Sequence, residues 1–336
     1  MSYKPPYNIT NRCLMLISSI SEKIGKLESV NILNSQPHLR KNNRIKSVHS
    51  SLKIEANSMS IENVRDILNG KNVVGPANEI LEVKNAFEAY EQLEKISPYS
   101  LAAMKKIHGI MTKNIINESG CFRKGNEGVF SNGKCIFMAP PPNLVPELMN
   151  DLFSWLKTSK KEVHPLIASS VFHYEFVFIH PFADGNGRMA RLWQTLILSK
   201  WKSIFKYIPI ESQIENYQEN YYKSISVCHK NGDSTYFIEF MLDMINRSID
   251  ETINQNFNDN NLSEYVKKLL KVMKPDAFYT ANRLLELLNL RSKEALRRNY
   301  LKPALQLNLI KMEIPEKPTS RNQRYILKIE DERYKI

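Results

Sequence analysis

Cysteine is scarce and scattered: the chain has four, Cys13, Cys121, Cys135 and Cys228, with no CxxC spacing among them. That excludes a disulfide framework and a thiolate metal site, and it predicts reduced, mostly structural thiols. Long apolar runs are missing as well, because no stretch stays apolar for the roughly 18 residues that a membrane-spanning helix needs. The opening MSYKPPYNIT lacks the basic region and continuous apolar segment of a secretory leader. The expected location is therefore the cytoplasm, with no membrane partner. Acidic residues are outnumbered, 35 Asp plus Glu against 47 Lys plus Arg, and the net charge of +12 favours an anionic partner: nucleotide, nucleic acid or an acidic protein. No internal repeat is present.

What the chain does have is enough apolar residue, 42% of 336, to bury a substantial core in two or three domains. Val83, Phe87, Tyr90 and Leu93 recur at helical spacing, as do Ile167, Val171, Tyr174 and Phe178. The expected class is mainly α. One exception is Cys121 to Pro142, where Gly125, Gly128 and Gly133 punctuate short β-prone pieces, which predicts a β-hairpin flap. The polar run NQNFNDNN reads as a linker over residues 254–262. It separates an N-terminal helical region (1–95) and a catalytic core (96–253) from a C-terminal domain (263–336). In that last domain helices near 263–273, 280–288 and 292–307 precede strand-like pieces around Ile310 and Tyr325. Three helices and a two-stranded wing make a winged-helix pattern.

The chemistry concentrates in HPFADGNGRMAR, residues 180–191, lying between two apolar helical runs. Gly185, Asn186 and Gly187 let the backbone approach an anion, and the amides opening the next helix then point at it. Arg188 and Arg191 sit three apart in a first turn that ordinarily prefers acids, which implies a polyanion to neutralise them. Asp184 repels bare phosphate but can hold Mg²⁺ bridging phosphate oxygens. His180 can accept a proton near neutral pH, as activating a hydroxyl requires. A base, a metal ligand, an anion cradle and two guanidiniums are the working set for phosphoryl or nucleotidyl transfer. GNGRMA also satisfies the dinucleotide fingerprint with Glu211 downstream as the ribose acid, but the flanking periodicity is helical rather than βαβ. His173, on the preceding helix, reads as a packed residue; His49, His108, His164 and His229 receive no role.

The segment resembles the signature of Fic proteins, His-x-Phe-x-Asp/Glu-Gly-Asn-Gly-Arg-x-x-Arg, at every defined position. The resemblance implies an AMP transferase in which His180 deprotonates a Ser, Thr or Tyr hydroxyl of a protein target. It further implies that Asp184 binds Mg²⁺ on ATP, that Asn186 and the glycine backbone hold phosphates, and that Arg188 and Arg191 meet the β- and γ-phosphates. Upstream, Ser51 and Glu55 at i and i+4 resemble the Fic inhibitory pattern Ser/Thr-x-x-x-Glu-Gly/Asn, with Ala56 departing from it. By that analogy Glu55 pairs with Arg191 and represses the enzyme. GCFRKGNEGVF resembles the opening of the Fic flap, which aligns the target's hydroxyl, and Tyr221 and Tyr222 fall where related sequences have a Tyr pair near the adenine.

Other readings stand beside this one: removal of AMP or a different transfer on the same scaffold, or a DNA-binding regulator with an inactive Fic domain. For the last, Lys293, Arg297, Arg298 and Lys302 on the third helix and Lys317, Arg321 and Arg324 on the wing are the candidate phosphate contacts. The same surfaces are equally suited to protein contact or to a homodimer.

Overall fold

The computed structural model describes residues 3–30, 37–131, 134–260, 264–274, 277–306, 309–318, 320 and 323–327. The chain divides into two compact units, Met1–Glu251 and Thr252–Ile336. The expected linker is instead helix: Asn254 to Asn260 continue the last turns of a helix running Thr235–Asn260. Their polar composition does not prevent this, since Asn and Gln lower helix propensity by only tenths of a kcal/mol each, up to about 0.7. Residues 261–262 lie outside the described ones.

The first unit is helical. Its helices in chain order are α1 (Asn11–Val30), α2 (Pro37–Ile54), α3 (Ile61–Leu68), α4 (Ala77–Glu91), α5 (Leu101–Met111), α6 (Val145–Ser159), α7 (Pro165–Ile179), α8 (Asn186–Trp201), α9 (Ile210–Asn216), α10 (Gln218–Asn231) and the first part of α11 (Thr235–Asn260), which runs past Glu251. Between α5 and α6 stands the expected flap, β1 (Gly128–Ser131) antiparallel to β2 (Lys134–Met138), with a bulge after Val129. Residues 132 and 133 at its tip lie outside the described ones.

Helices α7 and α8 form the centre. Both are buried nearly all round: α7 is apolar on almost every face, whereas α8 also carries Arg188, Arg191 and Gln194 inside. Pro165 occupies the first turn of α7, where its missing N–H costs nothing, and His164 caps that turn by accepting from Leu166 N at 3.2 Å. Trp193 and Phe172 are wholly buried, and the indole Nε1 donates to Pro98 O at 3.0 Å, so the ring's one polar atom is satisfied. Burying such side chains contributes roughly 2–3 kcal/mol each. This rigid pair fixes the turn between its members.

The second unit has its own core, built on Val266, Leu269, Leu284, Leu296, Tyr300 and Ile310. It contains α12 (Glu264–Val272), β3 (Tyr279–Thr280), α13 (Ala281–Leu287), α14 (Lys293–Ala295), a π-helical stretch Leu296–Leu301, α15 (Lys302–Gln306), β4 (Ile310–Met312) and β5 (Arg324–Leu327). The sheet has three strands in the order β3, β5, β4 rather than two. The extra one precedes α13, whose N-cap is Thr280. Lys293, Arg297, Arg298, Lys302 and Lys317 are exposed. Arg324 is bound by Glu313 through both carboxylate oxygens, so it is already neutralised; Arg321 lies outside the described residues.

Candidate active site

Helix α7 ends where His180 turns left-handed (φ 51°), and α8 begins after Gly185, also left-handed (φ 79°). The residues between them are fixed from inside. Asn186 accepts from Phe182 N at 3.0 Å and donates to Phe182 O at 2.7 Å, so its side chain closes the turn instead of reaching outward. Phe182, fully buried, stacks on His108 with ring centroids 3.7 Å apart. Nδ1 of His108 accepts from Gly120 N at 2.9 Å, which leaves the proton on Nε2 to donate to Asp184 O at 2.9 Å. Burial lowers the pKa of His108 to about 4, so the ring holds this neutral form at neutral pH.

His180 itself is neutral for a similar reason: burial lowers its pKa, and the nearby Glu127 and Glu55 only partly oppose that. Its Nδ1 makes a long 3.4 Å contact to Val177 O. A carbonyl can only accept, so Nδ1 carries the proton and the Nε2 lone pair is left to act as a base. Its carbonyl oxygen accepts from Arg123 Nε at 2.6 Å. The same guanidinium donates to Gly125 O at 2.8 Å, Pro140 O at 2.5 Å and Ile179 O at 3.3 Å, while Arg123 N donates to Pro181 O at 3.0 Å. Both legs of the flap are thus fastened to the backbone of His180 by one buried side chain.

On the far side of the turn the Asp184 carboxylate, 47% exposed, accepts from Gly185 N at 2.6 Å and from Arg188 Nη2 at 2.8 Å. Arg188 and Arg191 are almost completely buried. Two of their nitrogens, Arg188 Nε and Arg191 Nη1, have no hydrogen-bond partner among the described residues. Buried guanidinium donors left unpaired beside an amide-lined helix start fit an anion.

Part of that place is taken. Glu55, at the end of α2, accepts from Arg191 Nη2 at 2.7 Å, and Ser51, one turn earlier, accepts from Arg191 Nε at 3.1 Å through Oγ and from Nη2 at 2.9 Å through its carbonyl. A Cβ built on Gly187 would overlap the Glu55 carboxylate and lie 3.0 Å from Arg191 Nη1. Burial opposes the charge of Arg191, and Glu55, Tyr221 and Tyr90 more than offset that, so its pKa rises. Ala56 is left-handed (φ 66°). Ala56 N donates to Lys53 O and Asn57 N to Leu52 O, the two bonds of a Schellman cap whose left-handed residue is ordinarily Gly or Asn. The departure at Ala56 therefore costs strain and leaves the geometry intact.

Tyr221 does not serve a base as expected. It is 2% exposed, and its hydroxyl meets Nε2 of His173 at 3.0 Å, while Nδ1 of His173 meets Gln194 at 2.5 Å. No ring face is open for stacking. Tyr222 is 47% exposed, with its hydroxyl donating to Ile54 O at 3.3 Å, and keeps an accessible ring. Glu211, the ribose acid of the dinucleotide reading, is buried and accepts from Tyr90 and Ser47. Three residues without a sequence-level assignment bear on the site: His108, Arg123 and Glu82, which binds Arg188 Nη1 at 3.0 Å. Only Arg123 had a local signal, in GCFR.

Residues 98–198 match the Fic/DOC family, and residues 264–328 match the C-terminal domain of filamentation induced by cAMP protein Fic-like. Protein adenylyltransferase Fic of Aedes aegypti is 29% identical over 243 residues, covering 69% of this chain and 46% of the relative. Its namesake in Nematostella vectensis is 28% identical over 250 residues, covering 70% and 55%. The chain spans about half the length of these curated relatives. A solved Fic family protein from Desulfovibrio desulfuricans G20 is 39% identical, covers 98% of this chain and all of its own, and superposes with a TM-score of 0.73. With the signature on the α7–α8 turn and a likeness that runs along nearly the whole sequence, this chain belongs to the Fic family.

Proposed function

We propose that the protein transfers AMP from ATP to a Ser, Thr or Tyr hydroxyl of a protein, and that Glu55 represses it. The observation that carries this is the pair of buried, unpartnered guanidinium nitrogens beside the glycine turn, with the neutral His180 at the other end of the same turn. His180 Nε2 takes the proton as the hydroxyl oxygen attacks the α-phosphorus; the bond from that phosphorus to the α–β bridging oxygen breaks, and pyrophosphate leaves with the electron pair. Arg188 and Arg191, both almost wholly buried, stabilise the leaving charge. Asp184 suits Mg²⁺, since it is a half-exposed single carboxylate, and this ion usually takes one or two carboxylates with phosphates and water completing the shell. Bound there, the ion would offset phosphate charge. Tyr222 offers a ring to the adenine.

Glu55 holds Arg191 and fills the space over Gly187, so ATP docks without its productive contacts. Incubation with ATP labelled at the α or the γ position tests the reading: α-label on protein means AMP transfer, and γ-label means phosphoryl transfer. A second reading is that Glu55, whose half-exposed carboxylate is within reach of solvent, orients a water to remove AMP from modified targets. Release of AMP from a labelled protein by the wild type, and not by Glu55→Gln, distinguishes it. The Fic-like C-terminal domain, with exposed Lys293, Arg297, Arg298 and Lys302, is the place to look for duplex DNA binding or self-association.

A further inference from the structure

The end of α2 is held by more than Arg191. The Glu82 carboxylate on α4 is divided between two partners: Oε1 accepts from Arg188 Nη1 at 3.0 Å, and Oε2 accepts from Asn57 Nδ2 at 2.8 Å. Asn57 lies two residues after Glu55, and its backbone N–H closes the Schellman cap onto Leu52 O. One helical turn before Glu82, Glu79 accepts from both Ser58 N and Ser58 Oγ at 2.7 Å, and its carbonyl oxygen takes a further 3.4 Å contact from Asn57 Nδ2. Two carboxylates at i and i+3 thus grip the segment that leaves α2. Only one of them also reaches the signature.

We propose that Glu82 is a positioning residue that anchors the repressing segment to the active site, binding Asn57 with one oxygen and Arg188 with the other, so that Glu55 is held over Gly187. The inference rests on Glu55 acting as a repressor. Its physical basis is pre-organisation. Glu55 is 37% exposed on its side chain and is the cap residue just past the end of its helix, where ends fray; by itself its bond to Arg191 competes with water. Fixing Asn57 removes that freedom. Glu82 also balances Arg188, so both signature arginines are met by acids from outside the signature. An incoming triphosphate must displace Glu55 from one of them, while Glu82 stays on the other and keeps the anchor.

The anchor is tested with Asn57→Ala and Glu82→Gln, each in the wild type and in Glu55→Gly. A glutamine has one carbonyl oxygen, so it can accept from Arg188 or from Asn57 and not both. Amide hydrogen exchange at positions 56 and 57 should rise about tenfold in either variant, the worth of one hydrogen bond to a charged group. Self-labelling with α-labelled ATP should rise at least fivefold in Asn57→Ala, yet change less than twofold when Asn57→Ala is added to Glu55→Gly. Unchanged exchange in both variants overturns the anchor, whatever the labelling does. So does an equal rise in labelling in both backgrounds, which would place Asn57 outside Glu55's action. Faster exchange with no labelling even in Glu55→Gly leaves the anchor standing and removes the transferase reading instead.

Discussion

Glu55 and Arg191 meet at 2.7 Å directly over Gly187, although 136 positions separate them in sequence. The one carboxylate takes up both charge and volume: it accepts from the Arg191 guanidinium and stands in space that only the missing side chain of Gly187 leaves open, which under the proposed function denies both to a phosphate. Removing it should therefore release both constraints.

Glu55→Gly should raise AMP labelling at least tenfold, and adding His180→Ala should return it to background. The single variant should also gain more thermal stability than the wild type from Mg²⁺ and ATP, because a ligand at 100 times its dissociation constant contributes about 2.7 kcal/mol. Equal labelling in the single and double variants would show that His180 is not the base.

The pH dependence of transfer follows from the state of His180. Burial favours its neutral form, so the ring should lose its proton below the ordinary histidine value of 6.5. The labelling rate of Glu55→Gly should fall with acid through a midpoint under 6.5 and be level from there to pH 8. A midpoint above 7 would mean that the ring is solvated or paired with an acid.

Arg123→Ala should destabilise the first unit by roughly 3 kcal/mol and remove transfer. Four carbonyls, those of Gly125, Pro140, Ile179 and His180, lose their donor together, and the buried ones carry the desolvation cost. Arg123→Lys should recover little, because one ammonium cannot span the fork. Urea unfolding followed by circular dichroism measures the first effect; retention of full stability in Arg123→Lys would contradict the fork's role.

The family signature was legible because its histidine, aspartate, glycines and arginines fall within twelve residues, and the contact of Ser51 and Glu55 with Arg191 was legible because the two share a helical face. The contacts that aim them were not. His108 meets Asp184 across 76 positions, Arg123 meets His180 across 57 and Glu82 meets Arg188 across 106, and no local pattern encodes such pairs. Tyr221 and Tyr222 differ by about 100° on their helix, so one must face the core when the other faces out, and composition does not say which. That residues 254–260 are helical was hidden for a related reason: a polar run lowers helix propensity only slightly.

Ala56→Gly should stabilise the first unit by about 1 kcal/mol, since the left-handed backbone at φ 66° costs a Cβ-bearing residue that much and costs glycine little. The same change should lower basal labelling or leave it unchanged, because it relieves strain in the cap that presents Glu55. Differential scanning calorimetry reads the first effect. A destabilised Ala56→Gly would mean that lost chain entropy in the unfolded state outweighs the strain.

Acid should weaken the fold through His108. Its pKa is about 4 in the folded protein against an ordinary 6.5, so between those values the unfolded chain binds the proton more readily than the native one. The stability this group contributes is complete above pH 6.5, falls as pH drops through the interval, and is gone below 4; the whole difference corresponds to roughly 3 kcal/mol. The cause is structural: protonating Nδ1 would set a donor against the N–H of Gly120 inside a sealed contact with Phe182. His108→Gln, which has no such proton to gain, should be less stable than the wild type at pH 7, and the gap should narrow at pH 5. A gap of the same size at both values would show that His108 does not titrate in this interval, and the neutral tautomer that holds Asp184 would need another explanation.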